Sequence, residues 1–416
     1  MRTTAVVIGA GHAGLAMSRR LTERSVEHVV LDRGDVADSW RTKRWPGLRL
    51  LTPNWMLGLP DRPPEHPDPD GFLGATEVAD LIEGYARQIA APVRTHTTVR
   101  SVRRDRNGYH VDTDRGSWHA AAVVVATGAS AAPLVPPCAA ALPPSVTQRT
   151  AFQYGGPESI PDGDVLVVGA SATGVQLAAE LRRAGRSVTL SVGEHVRLPR
   201  THRGRDIFWW LHATGVLGER HDQVEDLARA RRVPSPQLAG PAAPVDLTAL
   251  VDAGVRLVGR LASVDDGVAH FSGSLRNVCA LADLKMRRFL DRADAWAASS
   301  GLDDILSPPA HHGRTPVPDR PCLALDLADG TVGTVLWATG FQPDYTWLDL
   351  PALDRRGHLR HDGGVVIDEP GLYALGLPLL RTRASTYIHG AAADTKAIAN
   401  HLVEDLVQRS PVSSMR

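Results

Sequence analysis

At 416 residues the chain is too long for one ordinary hydrophobic core, so two or more domains are expected. Its 46 basic and 46 acidic side chains cancel, and no charge surplus points to nucleic acid or an acidic membrane surface. Three cysteines, Cys138, Cys279 and Cys322, lie far apart, which argues against a disulfide framework, a zinc site or a C-x-x-C redox pair.

The N-terminus, MRTTAVVIGAG, runs straight into a strand and lacks the apolar core of a signal peptide. No run of about 18 apolar residues predicts a membrane span, and the expected location is cytoplasmic. Residues 4–34 read as strand, tight turn, helix, strand, with AVVI and HVVL suited to buried parallel strands. Residues 164–193 repeat that plan, and Gly185 follows the basic end of the second helix. VVVATGAS (123–130) and VLWATGFQP (335–343) each end an apolar strand in a small-residue turn, at Thr127-Gly128 and Thr339-Gly340. Short strands are expected over 255–271 and one long amphipathic helix over 274–301. PSPQLAGPAAP (234–244) and SPPAHHGRTPVP (307–318) read as Pro-rich loops, with His311 and His312 as solvated loop residues and not as metal ligands. The tail returns to a strand over 371–377 and a helix from about 391 to 408. No metal site is expected.

Chemistry concentrates in two glycine turns, GAGHAG (9–14) and GASATG (169–174). In the first, Gly9 permits the tight turn, Gly11 lets a pyrophosphate approach the backbone, and Gly14 lets the helix pack on the strand. The helix N-terminus offers free N–H groups to phosphate. Asp32, followed by Arg33, ends the second strand at the distance where a carboxylate accepts ribose hydroxyls. The second turn keeps Gly169 and Gly174 but has Ser171 in the middle, and Ser191 stands where the first unit has Asp32. A carboxylate there would repel a 2′-phosphate and a serine does not. Arg197, Arg200 and Arg203 follow, and arginine grips phosphate with a fork of donors. The first turn is therefore assigned to FAD and the second to NADPH.

The motifs GAGHAG, DSWRTKRWPGLRLLTPNW, VVVATG, VVGASATG, RLPRTHRGRDIFWW, WATGF and GLYALGL, in this order, resemble the flavin-containing monooxygenase family, in its bacterial branch of short flavoproteins. That resemblance implies an α/β fold with two Rossmann-like dinucleotide-binding domains. The FAD domain would be discontinuous (1–150 and 340–416), with the NADPH domain (155–335) inserted and a helical insert over about 205–330. By the same similarity Trp40 and Arg41 lie along the FAD. Thr52 and Asn54 face the flavin ring as the catalytic candidates, with Gly376 and the following loop on its other side. The family motif F-x-G-x-x-x-H-x-x-x-Y falls on PSVTQRTAFQY (144–154), where Tyr154 matches. Pro144, Val146 and Thr150 replace Phe, Gly and His, so a weaker hold on the nicotinamide cofactor is expected.

These readings predict an NADPH-dependent FAD monooxygenase acting with O2 on a nitrogen or sulfur nucleophile of a small molecule. A Baeyer–Villiger oxygenase, an NADPH oxidase or reductase, and a flavin-binding sensor without turnover are the alternatives. No nucleic-acid or membrane partner is expected, and a homodimer is compatible with the sequence.

Overall fold

A computed structural model describes residues 1–238 and 245–409. Within them, two parallel-strand layers carry the fold. The first sheet has nine strands. Its centre is Arg2–Ile8, flanked in parallel by His28–Leu31 and Gly116–Val125, and the chain end returns as Leu372–Ala374 beside Gly116–Val125. Val93–Arg94 extends the other edge, beside His28–Leu31. The antiparallel hairpin Val99–Asp105/Gly108–Thr113 joins through Gly116–Val125.

The second sheet has five strands, all parallel: Arg256–Val258, Val188–Ser191, Asp164–Val168, Val332–Trp337 and Thr147–Thr150. Thr147–Thr150 was expected in the first unit, yet it forms an edge of the second sheet. Two chain crossings link the sheets. They pair antiparallel, Phe341 opposite Pro133 and Gln342 opposite Ala132.

Why these strands form is plain from their side chains. Ala5, Val6 and Val7 and their counterparts Val165, Leu166 and Val167 are buried on both faces, as a helix-covered parallel sheet requires. The helices His12–Glu23 and Ala172–Arg183 pack their apolar stripes on the two sheets. The long helix Leu275–Ser299 and the C-terminal helix Ala391–Arg409 form over the expected stretches. The FWW triplet is core: Phe208 and Trp210 are fully buried, with Trp209 partly buried against Trp210 and Trp296. The Pro-rich stretch 234–244 lies partly outside the described residues. No helix among the described residues is long and apolar enough to cross a membrane.

Candidate dinucleotide sites

The two glycine turns are built alike. Gly9 and Gly169 have φ of +111° and +109°, where a side chain is strained. A carbon on Gly9 would sit 2.5 Å from the Ala126 carbonyl oxygen; one on Gly169 would collide with the Ala338 carbonyl in the same way. A carbon on Gly14 would overlap the Gly9 carbonyl, and one on Gly174 the Gly169 carbonyl. Each helix therefore presses directly on its own turn.

Gly11 is different. Its φ is −81°, and a carbon there would meet nothing within 4 Å. It caps the helix His12–Glu23 without any side-chain acceptor, so the helix presents unpaired N–H groups and its positive end to that space. The space belongs to a cleft of about 620 Å³. Gly9, Gly11, Asp32, Arg33, Trp40, Thr127, Gly128 and Gly376 all line it.

Asp32 is half-buried, and burial raises its pKa. Its Oδ2 accepts from the Ala10 N–H at 2.6 Å and its Oδ1 from the Gly34 N–H at 3.0 Å. These bonds fix the carboxylate at the cleft wall and leave lone pairs for further donors. Thr127 Oγ1 and His12 Nε2 are buried with no hydrogen-bond partner among the described residues. Burial lowers the His12 pKa to about 4, so its ring is neutral at physiological pH.

Three expected residues do not line this cleft. Arg41 is exposed and bonds Asp80 and Glu83, each at 2.8 Å, on the helix Ala75–Gln88. Thr52 and Asn54 are buried, and Asn54 Nδ2 donates to the Asp68 carbonyl at 2.9 Å. In place of Arg41 the cleft has Lys43 and Arg44. The Arg44 guanidinium lies 5.3 Å from the Trp40 ring centroid, 5.6 Å from Phe152 and 6.0 Å from Phe341. Burial pulls its pKa down to about 10, and its guanidinium donates to the Lys43 carbonyl with no carboxylate partner among the described residues. A half-buried cation lacking an anion, on the wall of a cleft, is the feature that reading the sequence missed. Only its place three residues beyond Arg41 hinted at it.

The second turn differs in its surroundings. Ser171 takes the place of Gly11 at φ −86°, which any residue adopts. Ser191 is buried; its Oγ donates to the Gly259 carbonyl at 3.0 Å and accepts from the Leu261 N–H at 2.9 Å. Thr339 and Gly340 lie just beyond the strand Val332–Trp337, with the Thr339 hydroxyl bonded to the Leu134 carbonyl. The segment 236–238 crosses the turn, since Gln237 Nε2 donates to the Ala170 carbonyl at 2.6 Å.

None of the three expected arginines is free. Arg197 is buried on Asp283 (2.7 Å) and Asp246 (3.1 Å), Arg200 on Asp206 (2.5 Å), and Arg203 on Asp303 (2.8 Å). They tie distant segments together, and none is available for a phosphate while these pairs stand. The family-motif stretch is likewise structural: Thr150 is bonded to Gln153 through its N–H (3.0 Å) and its hydroxyl (3.1 Å), and Val146 and Tyr154 are core. His311 is exposed, but His312 turns inward with Nε2 buried. No His, Cys, Asp and Glu grouping fit for a metal occurs among the described residues.

Comparison with known proteins agrees with this plan. The family model described as pyridine nucleotide-disulphide oxidoreductase matches residues 6–209. A CzcO-like oxidoreductase of Geobacillus kaustophilus is 30% identical over 401 residues, covering 96% of this chain and 97% of that one. The indole-3-pyruvate monooxygenase YUCCA4 of rice is 30% identical over 238 residues, 50% of this chain and 52% of its own. The flavin-containing monooxygenase of Stenotrophomonas maltophilia shares the fold, with a TM-score of 0.67 at 18% identity, covering 97% of this chain and 98% of that one. With a CzcO-like oxidoreductase similar over nearly the whole of both chains and two dinucleotide turns on parallel sheets, the chain belongs to the flavin-containing monooxygenase-type family and is a flavin-dependent oxidoreductase.

Proposed function

We propose that the protein is an NADPH-dependent FAD monooxygenase that places one oxygen atom of O2 on a nitrogen or sulfur nucleophile of a small molecule. FAD belongs at the first glycine turn and NADPH at the second. The carrying observation is the contrast between duplicate positions: Asp32, a carboxylate lining the first cleft, against Ser191, a neutral side chain bonded to the backbone of Gly259 and Leu261. The open space over Gly11, the uncapped helix end and the cations Lys43 and Arg44 fit an anionic dinucleotide in the first cleft.

FAD, when bound, supplies the redox and O2 chemistry. The chain's own tasks are to bind, orient and exclude water. Asp32 holds ribose hydroxyls, the helix beginning at His12 faces the pyrophosphate, and Arg44 adds a positive charge under an aromatic cover. The name of the matched family model raises disulfide reduction as a rival. All three cysteines are free thiols, and burial raises the Cys279 pKa to about 12, which makes a poor thiolate.

The purified protein should consume O2 and NADPH in step with a thioether or tertiary amine, giving sulfoxide or N-oxide by mass spectrometry. Hydrogen peroxide equal to the NADPH consumed, with no oxygenated product from any soft nucleophile, would instead establish an NADPH oxidase. The substitutions at Pro144, Val146 and Thr150 favour that second reading.

A further inference from the structure

The two units can be aligned by strand register alone. Leu31 pairs with Arg94 in the first sheet, and Leu190 pairs with Leu257 in the second. Three residues beyond each outer partner stand Thr97 and Arg260. Thr97 lines the first cleft, and its N–H donates to the Asp32 carbonyl at 2.8 Å. Arg260 therefore occupies the matching place beside the second unit's Ser191.

The backbone around Arg260 is fixed. Ser191 bonds both of its neighbours, the carbonyl of Gly259 and the N–H of Leu261. The Arg260 carbonyl accepts from the Ser272 N–H at 2.8 Å. Gly259 is a glycine because the Ser272 carbonyl fills the space of a side chain there.

The side chain, by contrast, is exposed and has no hydrogen bond or ion pair among the described residues. Its Cγ and Cδ pass 3.9 Å from where a carbon on Gly193 would be. The aliphatic stem thus passes over Gly193, two residues beyond Ser191, where no side chain obstructs it. Glu194, the residue after Gly193, lies 3.5 Å from Lys285. A free fork of donors on a rigid loop, next to the position that carries Asp32 in the other unit, is a phosphate receptor in waiting.

We propose that Arg260 reads the phosphate on the adenosine ribose of the second dinucleotide, and so sets the preference for NADPH over NADH. This rests on the assignment of NADPH to the second turn. Arg197, Arg200 and Arg203 hold the fold and take no part.

The test is calorimetric binding of 2′,5′-ADP and of 5′-AMP, together with anaerobic flavin reduction by NADPH and NADH, for the wild type, Arg260→Ala and Arg260→Lys. Losing a charge-assisted phosphate bond is expected to weaken 2′,5′-ADP binding by roughly 10- to 100-fold. Arg260→Ala should leave 5′-AMP binding and NADH reduction unchanged, and Arg260→Lys should fall between. The side chain is exposed, and an unaltered melting temperature shows that the variants fold. A wild type that prefers NADPH and 2′,5′-ADP, with the same preference in Arg260→Ala, overturns the role of Arg260 and leaves the NADPH assignment standing. A wild type that treats both nucleotides alike overturns the NADPH assignment itself, and the role of Arg260 with it.

Discussion

Gly14 presses so closely on Gly9 that a single carbon on Gly14 would overlap the Gly9 carbonyl, while Gly11, between them, faces open space. One short turn thus contains glycines kept for two different reasons. The contrast gives the first prediction. Gly14→Ala should destabilise the protein by about 1–3 kcal/mol or more through backbone overlap, read as a fall in melting temperature with or without FAD. Gly11→Val should fold with a near-normal melting temperature as apoprotein but retain little FAD, read from absorbance after desalting. Full FAD retention by a folded Gly11→Val would remove the pyrophosphate from this space.

Arg44 supplies a second prediction. A half-buried guanidinium without a carboxylate partner is unfavourable until an anion reaches it. Arg44→Met keeps an apolar stem under Trp40 and Phe152 and deletes the charge. The apoprotein should melt at the same or a higher temperature, and the FAD dissociation constant should rise by roughly tenfold, as for loss of one charge-assisted contact. Unchanged FAD binding would place the ligand's phosphates away from Arg44.

Asp394 predicts a pH dependence. It is buried in the first turn of the C-terminal helix, and burial raises its pKa to about 6, against the Ser385 hydrogen bond and the Arg381 and His221 charges that lower it. A folded pKa raised above the unfolded value means that the associated stability is present at acidic pH. It is lost as pH climbs from about 4 through about 6. Asp394→Asn removes the ionisation and should stabilise the protein at pH 8 by on the order of 2 kcal/mol, with the gain vanishing near pH 4. Melting temperatures across this range check it. A constant difference at all pH values would deny the titration.

Much of the fold was legible because glycine, apolar strands and helix stripes are local signals. Gly9, Gly14, Gly169 and Gly174 sit where the motif placed them, since turn geometry depends on a few consecutive residues. The charged residues were not legible in the same way. Arg197 meets Asp246 and Asp283, and Arg203 meets Asp303, across long sequence separations that no local pattern encodes. Arg41 and Arg44 are three apart, yet one faces Asp80 on the surface and the other the cleft. Which way each turns is decided by the helix Ala75–Gln88 and by Phe152, both distant in sequence. The short strand Thr147–Thr150 joined the second sheet because Val332–Trp337, nearly two hundred residues later, offers it a parallel edge.

The measurement that bears most directly on the central claim is anaerobic titration of the purified, FAD-loaded protein with NADPH and, separately, with NADH, following flavin absorbance. Two turns holding two different dinucleotides, with Asp32 at one and a neutral Ser191 at the other, predict stoichiometric bleaching by NADPH at a rate at least tenfold above that with NADH at equal concentration. An FAD-loaded protein bleached by neither, or equally fast by both, would contradict the account.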